Sequence, residues 1–224
     1  MSNDKDIYPR ILKAIVEHQL PPGARLPEDK LSEAFGVSRT GIRKVLQRLA
    51  IERFVTIEKN KGAHVSRPTP QEAQEVLDSR ILLEPQLIPQ ILQHWDLRQS
   101  ERFRNMVDEE NQAIAQNRLA DSIQLTARFH YALAGLSGNA VLAEFVEQLC
   151  YRSSLVIAAY GSKSSVSCDC GDHSTLIDIF DSGDTVKAQN WMRHHLVHIR
   201  ESLTLDDEQS QSINFVELFA GKQN

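Results

Sequence analysis

No apolar run in the chain approaches the roughly 20 residues needed to span a bilayer, which excludes a membrane helix. The opening Met1-Ser2-Asn3-Asp4-Lys5-Asp6 is too polar for a signal peptide, so a soluble, cytoplasmic protein is expected. Cysteine is scarce: Cys150, Cys168 and Cys170 make an odd count without an export signal, so free thiols are expected rather than a disulfide framework. There is no His-Glu-x-x-His motif, no internal repeat of fixed period and no low-complexity tract. What remains is 224 residues with 41% hydrophobic content, enough for one large domain or two modest ones with a true core.

Charge is unevenly spread. Residues 1 to 67 hold 13 Lys+Arg against 8 Asp+Glu, whereas residues 68 to 224 hold 12 against 22. A basic segment joined to an acidic remainder suits one part touching phosphate while the rest is repelled from it. In the basic part, Ile7, Ile11 and Ile15 recur every four residues up to Leu20-Pro21-Pro22-Gly23, which ends a first helix. Pro27 opens a short second helix, with Leu31, Ala34 and Phe35 inward and Gly36 closing it, and Ser38 is the N-cap of a third. Helix, tight turn, helix is the arrangement of a helix-turn-helix.

At 100° per residue the third helix gathers Ile42, Val45, Leu46 and Leu49 on one side and Arg39, Thr40, Arg43, Lys44 and Gln47 on the other. Two readings of that polar side stand: a solvated charged face, or the face of a recognition helix, with Arg39 and Arg43 leading it toward guanine edges. The segment after the helix favours the second. Phe54-Val55-Thr56-Ile57-Glu58 is β-prone, Asn60-Lys61-Gly62 is a turn, and Ala63-His64-Val65 resumes the extended pattern, which makes a hairpin wing with Lys61 and Gly62 at its tip.

The run Leu26-Pro27, Leu31-Ser32, Gly36-Val37-Ser38-Arg39-Thr40, Arg43, Val45-Leu46 and Leu49, with the wing Asn60-Lys61-Gly62-Ala63-His64-Val65, resembles the winged helix of GntR-type bacterial regulators. The resemblance implies a double-stranded DNA operator as partner. Its contacts would come from Ser38, Arg39, Thr40, Arg43 and Lys44 of the recognition helix and Lys61 and Gly62 of the wing. Gly41 stands where many relatives have proline, and Lys44 where they often have glutamate, a change expected to alter operator preference.

After Arg67-Pro68-Thr69-Pro70 nearly everything reads as helix: residues 70 to about 95, 99 to 116, 118 to 136, 139 to 159, 172 to 182 and 184 to 204. Pro85 and Pro89 are expected to kink the first of these. Ile123, Ala127, His130 and Ala134 fall on one stripe. His173 leads a helix with Leu176, Ile177 and Phe180 inward. In the last helix His195 lies between the ridges of Met192, Leu196, Ile199 and Leu203, while His194 and His198 swing to the edge. An inward histidine serves either as a hydrogen-bonded core residue or as a ligand, and periodicity alone does not show convergence. Three imidazoles from three helices would suit a zinc or nickel ion with positions left open. Cys168 and Cys170, close before His173, lack a second pair of ligands and read as part of a linker.

Phe129-His130 with Leu133, Ser137-Gly138-Asn139 and Leu142, Asp172-His173 with Leu176 and Ile177, Gly183-Asp184, and Met192-Arg193-His194-His195-Leu196 resemble the FCD effector domain of the FadR-like branch of GntR regulators. That resemblance implies a divalent metal held by His130, His173 and His195, with an aspartate or asparagine four positions before the first histidine as a further ligand. Here that position is Thr126, a neutral hydroxyl and a poor ligand, so direct hydrogen bonding of an organic effector by Thr126 and the histidines is an alternative. Arg80 matches a family position that faces the ligand cavity, or else pairs with Glu84 at i+4. Arg152 is a further effector candidate, with Arg128 and Tyr151 on weaker grounds.

The expectation is a mainly α protein. It comprises a winged helix-turn-helix over 1–67, a linker over 68–71 and an antiparallel helical effector-binding and dimerisation bundle over 72–224, in which 206–224 adds a short helix. Its function is that of a homodimeric regulator, typically a repressor, responsive to a small carboxylate-bearing effector; no catalytic residue is assigned. The alternatives are a regulator whose signal is the metal itself and, remotely, a three-histidine hydrolase with Asp172 or Glu84 as base.

Overall fold

A computed structural model describes residues 4–16, 19–161 and 173–204. Cys168, Cys170, Asp172 and the tail from 205 lie outside the described residues. The chain divides into two compact units with the seam between Pro68 and Thr69.

The first unit holds α1 (Asp4–Val16), α2 (Glu28–Phe35), α3 (Arg39–Ile51), β1 (Val55–Glu58) and β2 (Gly62–Val65). Ile7, Ile11 and Ile15 are fully buried and meet the stripe Ile42, Val45, Leu46 and Leu49, so the four-residue spacing of one helix and the amphipathic face of another make one core. Pro27 is the N-cap of α2, one position before the helix rather than its first residue, and Ala34 is only half-buried. Gly36 takes the left-handed conformation at φ 66° that lets α2 end and the chain reverse into Ser38, whose hydroxyl accepts from Gly41 N at 3.2 Å and caps α3. β1 and β2 pair antiparallel with Val55 opposite Val65 and Glu58 opposite Gly62. Asn60 at φ 69° and Gly62 at φ 86° turn the hairpin. The segment before α2 adds a partial third strand, with Leu26 N donating to Ala63 O at 2.8 Å and Val65 N to Ala24 O at 2.8 Å.

The second unit is all helix among the described residues: α4 (Pro70–Gln93), α5 (Leu97–Ala115), α6 (Leu119–Gly135), α7 (Ala140–Tyr160), α8 (His173–Asp181) and α9 (Thr185–Glu201). Thr69 and Glu72 form a reciprocal capping box with Pro70 at the first turn, so half of the expected linker is the start of α4. Asp96, Asn139 and Asp184 cap α5, α7 and α9 through their side chains. α4 continues as one helix through Pro85 and Pro89. α4 packs on α9 and α7, α6 on α5 and α7, and α8 on α5 and α9. Phe103, Phe129, Leu133, Leu176, Phe180, Met192 and Leu196 are among the residues that fill the space between them. The architecture is therefore mainly α, a winged helix-turn-helix followed by a helical bundle.

Candidate metal centre and nucleic-acid interface

Three helices of the bundle each contribute one histidine to a single point. His130 on α6, His173 at the start of α8 and His195 on α9 are 1%, 3% and 5% exposed, and one ring nitrogen from each lies within 4.8 Å of the other two. His130 Nε2 and His173 Nε2 each stand 3.3 Å from His195 Nε2. The rings are held by flat neighbours: Phe129 stacks on His173 at 4.2 Å between centroids, and Trp191 on His195 at 4.9 Å. His194, next along α9, is exposed, and His198 is half-buried.

Two buried carboxylates fix the rings from behind. Glu84 Oε2 accepts from His130 Nδ1 at 2.6 Å and Glu110 Oε2 from His173 Nδ1 at 2.8 Å. Burial alone would raise the pKa of Glu84, but the Arg80 guanidinium and His130 overcome it and bring it down to about 2. Glu110 is likewise lowered against its burial, chiefly by His173 and the Thr126 hydroxyl. Burial takes His130 down to about 4 in spite of Glu84, and His195 well below its ordinary value. At neutral pH His130 is therefore a neutral ring that donates from Nδ1 and turns the Nε2 lone pair to the centre, and the Glu110 carboxylate orients His173 the same way, Nδ1 toward the carboxylate and Nε2 toward the centre.

This donor set fits a divalent transition metal. Ring nitrogens turned toward one another at 3.3 Å are held together by a cation or a shared proton between them. Two nitrogens bound to zinc at about 2.0–2.1 Å with a tetrahedral angle would be about 3.3–3.4 Å apart, close to the 3.3 Å separations seen.

The remaining candidates divide. Arg80 is buried and donates Nε to Glu84 Oε1 at 2.5 Å and one terminal nitrogen to Ser153 Oγ at 2.9 Å, while its other terminal nitrogen has no hydrogen-bond partner among the described residues. Trp191 Nε1 is buried and unpartnered in the same sense. Thr126 donates to Glu110 Oε1 at 2.5 Å, so it touches the carboxylate behind His173. Arg152 is half-buried on α7, and among the described residues no hydrogen bond or ion pair joins it to the histidines or Arg80. Arg128 is exposed and pairs with Glu109, and Tyr151 donates to Glu147. The sequence pattern does not single out Glu110 or Ser153, and it offers Glu84 only as a partner of Arg80 or a remote base. Beside the centre, Glu84, Leu87, Ile91, His130, Leu133, Ala134 and Met192 enclose a cavity of about 10 Å³, room for about one water.

In the first unit, Arg39, Thr40, Arg43 and Lys44 are exposed on the outer face of α3. Arg43 is clamped by Glu28 of α2 through two bonds of 2.9 and 2.6 Å, and Lys61 at the wing tip pairs with Glu58 at 2.7 Å. Glu28, Arg43, Gln47, Arg25, Ile57 and Gly62 border a groove of about 250 Å³ between the recognition helix and the wing. An amphipathic recognition helix beside a wing with cations on both is the geometry of a DNA reader.

The signature of "Bacterial regulatory proteins, gntR family" matches residues 3–65 and that of the "FCD domain" residues 75–198. The chain belongs to the GntR family of regulators, with an FCD domain. Its relatives in this family are regulators and not enzymes. A "Fatty acid metabolism regulator protein" of Shewanella halifaxensis is 36% identical over 143 residues, 58% of this chain and 60% of that protein. The chain thus spans less than two thirds of that GntR relative's length. The "Uxu operon regulator" of Haemophilus influenzae is 28% identical over 200 residues, 81% of this chain and 74% of that one. Among solved structures, a GntR regulator from Rhodococcus sp. RHA1 superposes with a TM-score of 0.76 at 23% identity, covering 90% of this chain and 97% of that one. E. coli McbR/YncC superposes with a TM-score of 0.71 at 19% identity, covering 88% and 93%. Both structures share the fold. Among the described residues no helix is long and apolar enough to cross a membrane.

Proposed function

We propose that this GntR-family regulator is a homodimeric repressor whose DNA affinity is set by a small carboxylate effector bound at a zinc or nickel centre on His130, His173 and His195. One observation carries the reading: three buried imidazoles aim Nε2 at one point, and two of them are locked from behind by buried carboxylates. Ordinary core histidines need no such convergence, and outer carboxylates of this kind are what metal-ligating histidines use. The bound ion would supply positive charge and open positions for a carboxylate. Arg80, with one guanidinium nitrogen that has no partner among the described residues, supplies a hydrogen-bond donor for the same anion. Glu84 ties Arg80 to His130, so anything that draws Arg80 also pulls on the ring that Glu84 orients.

Arg39, Thr40, Arg43 and Lys44, with Ser38 at the head of the helix and Lys61 and Gly62 of the wing, provide the DNA contacts, one winged helix to each half of a near-palindromic operator. For the effector to act it need only bind one arrangement of the dimer better than the other, and a coupling of about 1 to 3 kcal/mol changes operator affinity several-fold to about a hundredfold.

The small size of the cavity favours a second reading, in which the metal itself is the signal, because about 10 Å³ admits a water and no organic effector without movement of the surrounding side chains. A thermal-shift screen of small carboxylates, with and without chelator, followed by operator binding under the same conditions, separates the two. The first reading expects carboxylates to shift melting and DNA affinity only when metal is present. DNA affinity that tracks metal alone would replace it with the second.

A further inference from the structure

The two carboxylates behind the histidines are built alike but charged differently. Glu84 bridges a cation to a ring: Oε1 takes Arg80 Nε and Oε2 takes His130 Nδ1. Glu110 bridges a neutral hydroxyl to a ring: Oε1 takes the Thr126 hydroxyl at 2.5 Å and Oε2 takes His173 Nδ1 at 2.8 Å. Glu110 is only 5% exposed, and among the described residues no lysine or arginine pairs with it. Arg80 and Glu84 cancel, which leaves Glu110 as the uncompensated negative charge of the centre. A buried carboxylate without a lysine or arginine is costly, and a metal ion on the far side of the His173 ring, where the three Nε2 atoms meet, would supply compensating charge.

Thr126 lies on α6 one turn before His130, on the side of that helix that faces α5. Its hydroxyl hydrogen is committed to Glu110, and the second Glu110 oxygen is committed to His173, so Thr126 fixes the carboxylate at one end while the ring fixes it at the other.

We propose that Glu110, positioned by Thr126, is the outer carboxylate that supplies the negative charge of the metal centre and holds His173 with Nε2 turned inward, and that Thr126 is a positioning residue and not a ligand. The inference rests on the metal reading of the three histidines and assigns the site's anion to α5. It leaves three histidines as the protein's ligands and the other positions of the ion to exchangeable groups.

The test uses the full-length protein and Zn²⁺ affinity measured by competition with a chelator, with melting curves to show that each variant folds. Glu110→Gln keeps the shape and removes the charge, and its affinity should fall by about 10- to 100-fold, the usual effect of losing an outer partner. Thr126→Val should fall in the same direction but by less, about 3- to 10-fold, and Thr126→Ser should return to within about 2-fold of the parent. In the metal-free parent, ¹⁵N-resolved histidine NMR should show His173 protonated at Nδ1. A parent protein that binds no Zn²⁺ overturns the metal reading and this proposal together. A parent that binds while Glu110→Gln binds equally well overturns this proposal alone, as does an Nε2-protonated His173. A greater loss in Thr126→Val than in Glu110→Gln would make Thr126 itself the ligand.

Discussion

Arg80 lies one turn before Glu84 along α4, and one of its terminal nitrogens has no hydrogen-bond partner among the described residues. Of the two readings that the sequence leaves open for Arg80, the pairing with Glu84 is the one seen. Because the pair is buried, removing one member strands the other: Arg80→Met should destabilise the folded protein by about 3–5 kcal/mol in chemical denaturation, and a loss under about 1 kcal/mol would contradict the buried pairing. The pH dependence has a definite sign. The pKa of Glu84 is depressed to about 2 from 4.5, so its contribution is in place above the ordinary value and is lost as pH falls through the depressed one. Cys150 runs the other way: burial pushes its thiol up to about 12, despite Arg80 nearby. In a Cys168→Ser/Cys170→Ser variant, Cys150 should resist thiol reagents at pH 8 while the protein is native and react once it is unfolded; rapid native labelling would contradict its burial. At this scale the histidines were legible because helical period alone turns His130 and His195 inward and His194 outward. Glu110 was not, since its partner His173 is 63 residues away and a carboxylate on a helix is ordinarily solvated.

At the scale of elements, the turn chemistry of the first unit could be read closely. Gly36, Ser38 and the Asn60-Lys61-Gly62 tip each occupy the position their residue type favours, and α1 to β2 follow in the order the pattern gives. The pairing of Ala24 and Leu26 with β2 was hidden because Pro21, Pro22 and Gly23 read only as a helix stop, while the hydrogen bonds that make it strand-like come from the other end of the unit. The clamp of Glu28 on Arg43 was hidden for the same reason, the partners being 15 residues apart on different helices. That clamp leaves Arg43 exposed on the outer face of α3. Arg43→Ala and Arg39→Ala should each weaken operator binding by about 1–3 kcal/mol with little change in melting temperature. Unchanged affinity in a mobility shift at fixed salt would remove them from the interface.

For the whole molecule, the change of charge near residue 67 and the seam at Pro68 and Thr69 describe the same division. The basic part carries the winged helix-turn-helix and the acidic part carries the buried histidines, and the family signatures fall on the two parts separately. Fold class was legible throughout because it rests on periodicity summed over many residues. The make-up of the centre was legible only in its three histidines, because the carboxylates that hold two of them come from α4 and α5, far away in sequence.

Whether His130, His173 and His195 hold a divalent ion is decided by elemental analysis of the purified parent protein beside His195→Ala and His194→Ala. Close to one zinc or nickel per chain is expected in the parent and in His194→Ala, and a loss of most of it in His195→Ala with operator binding of the effector-free protein retained. A parent that carries no metal after exposure to excess Zn²⁺, or a His195→Ala protein that carries as much as the parent, would contradict the assignment.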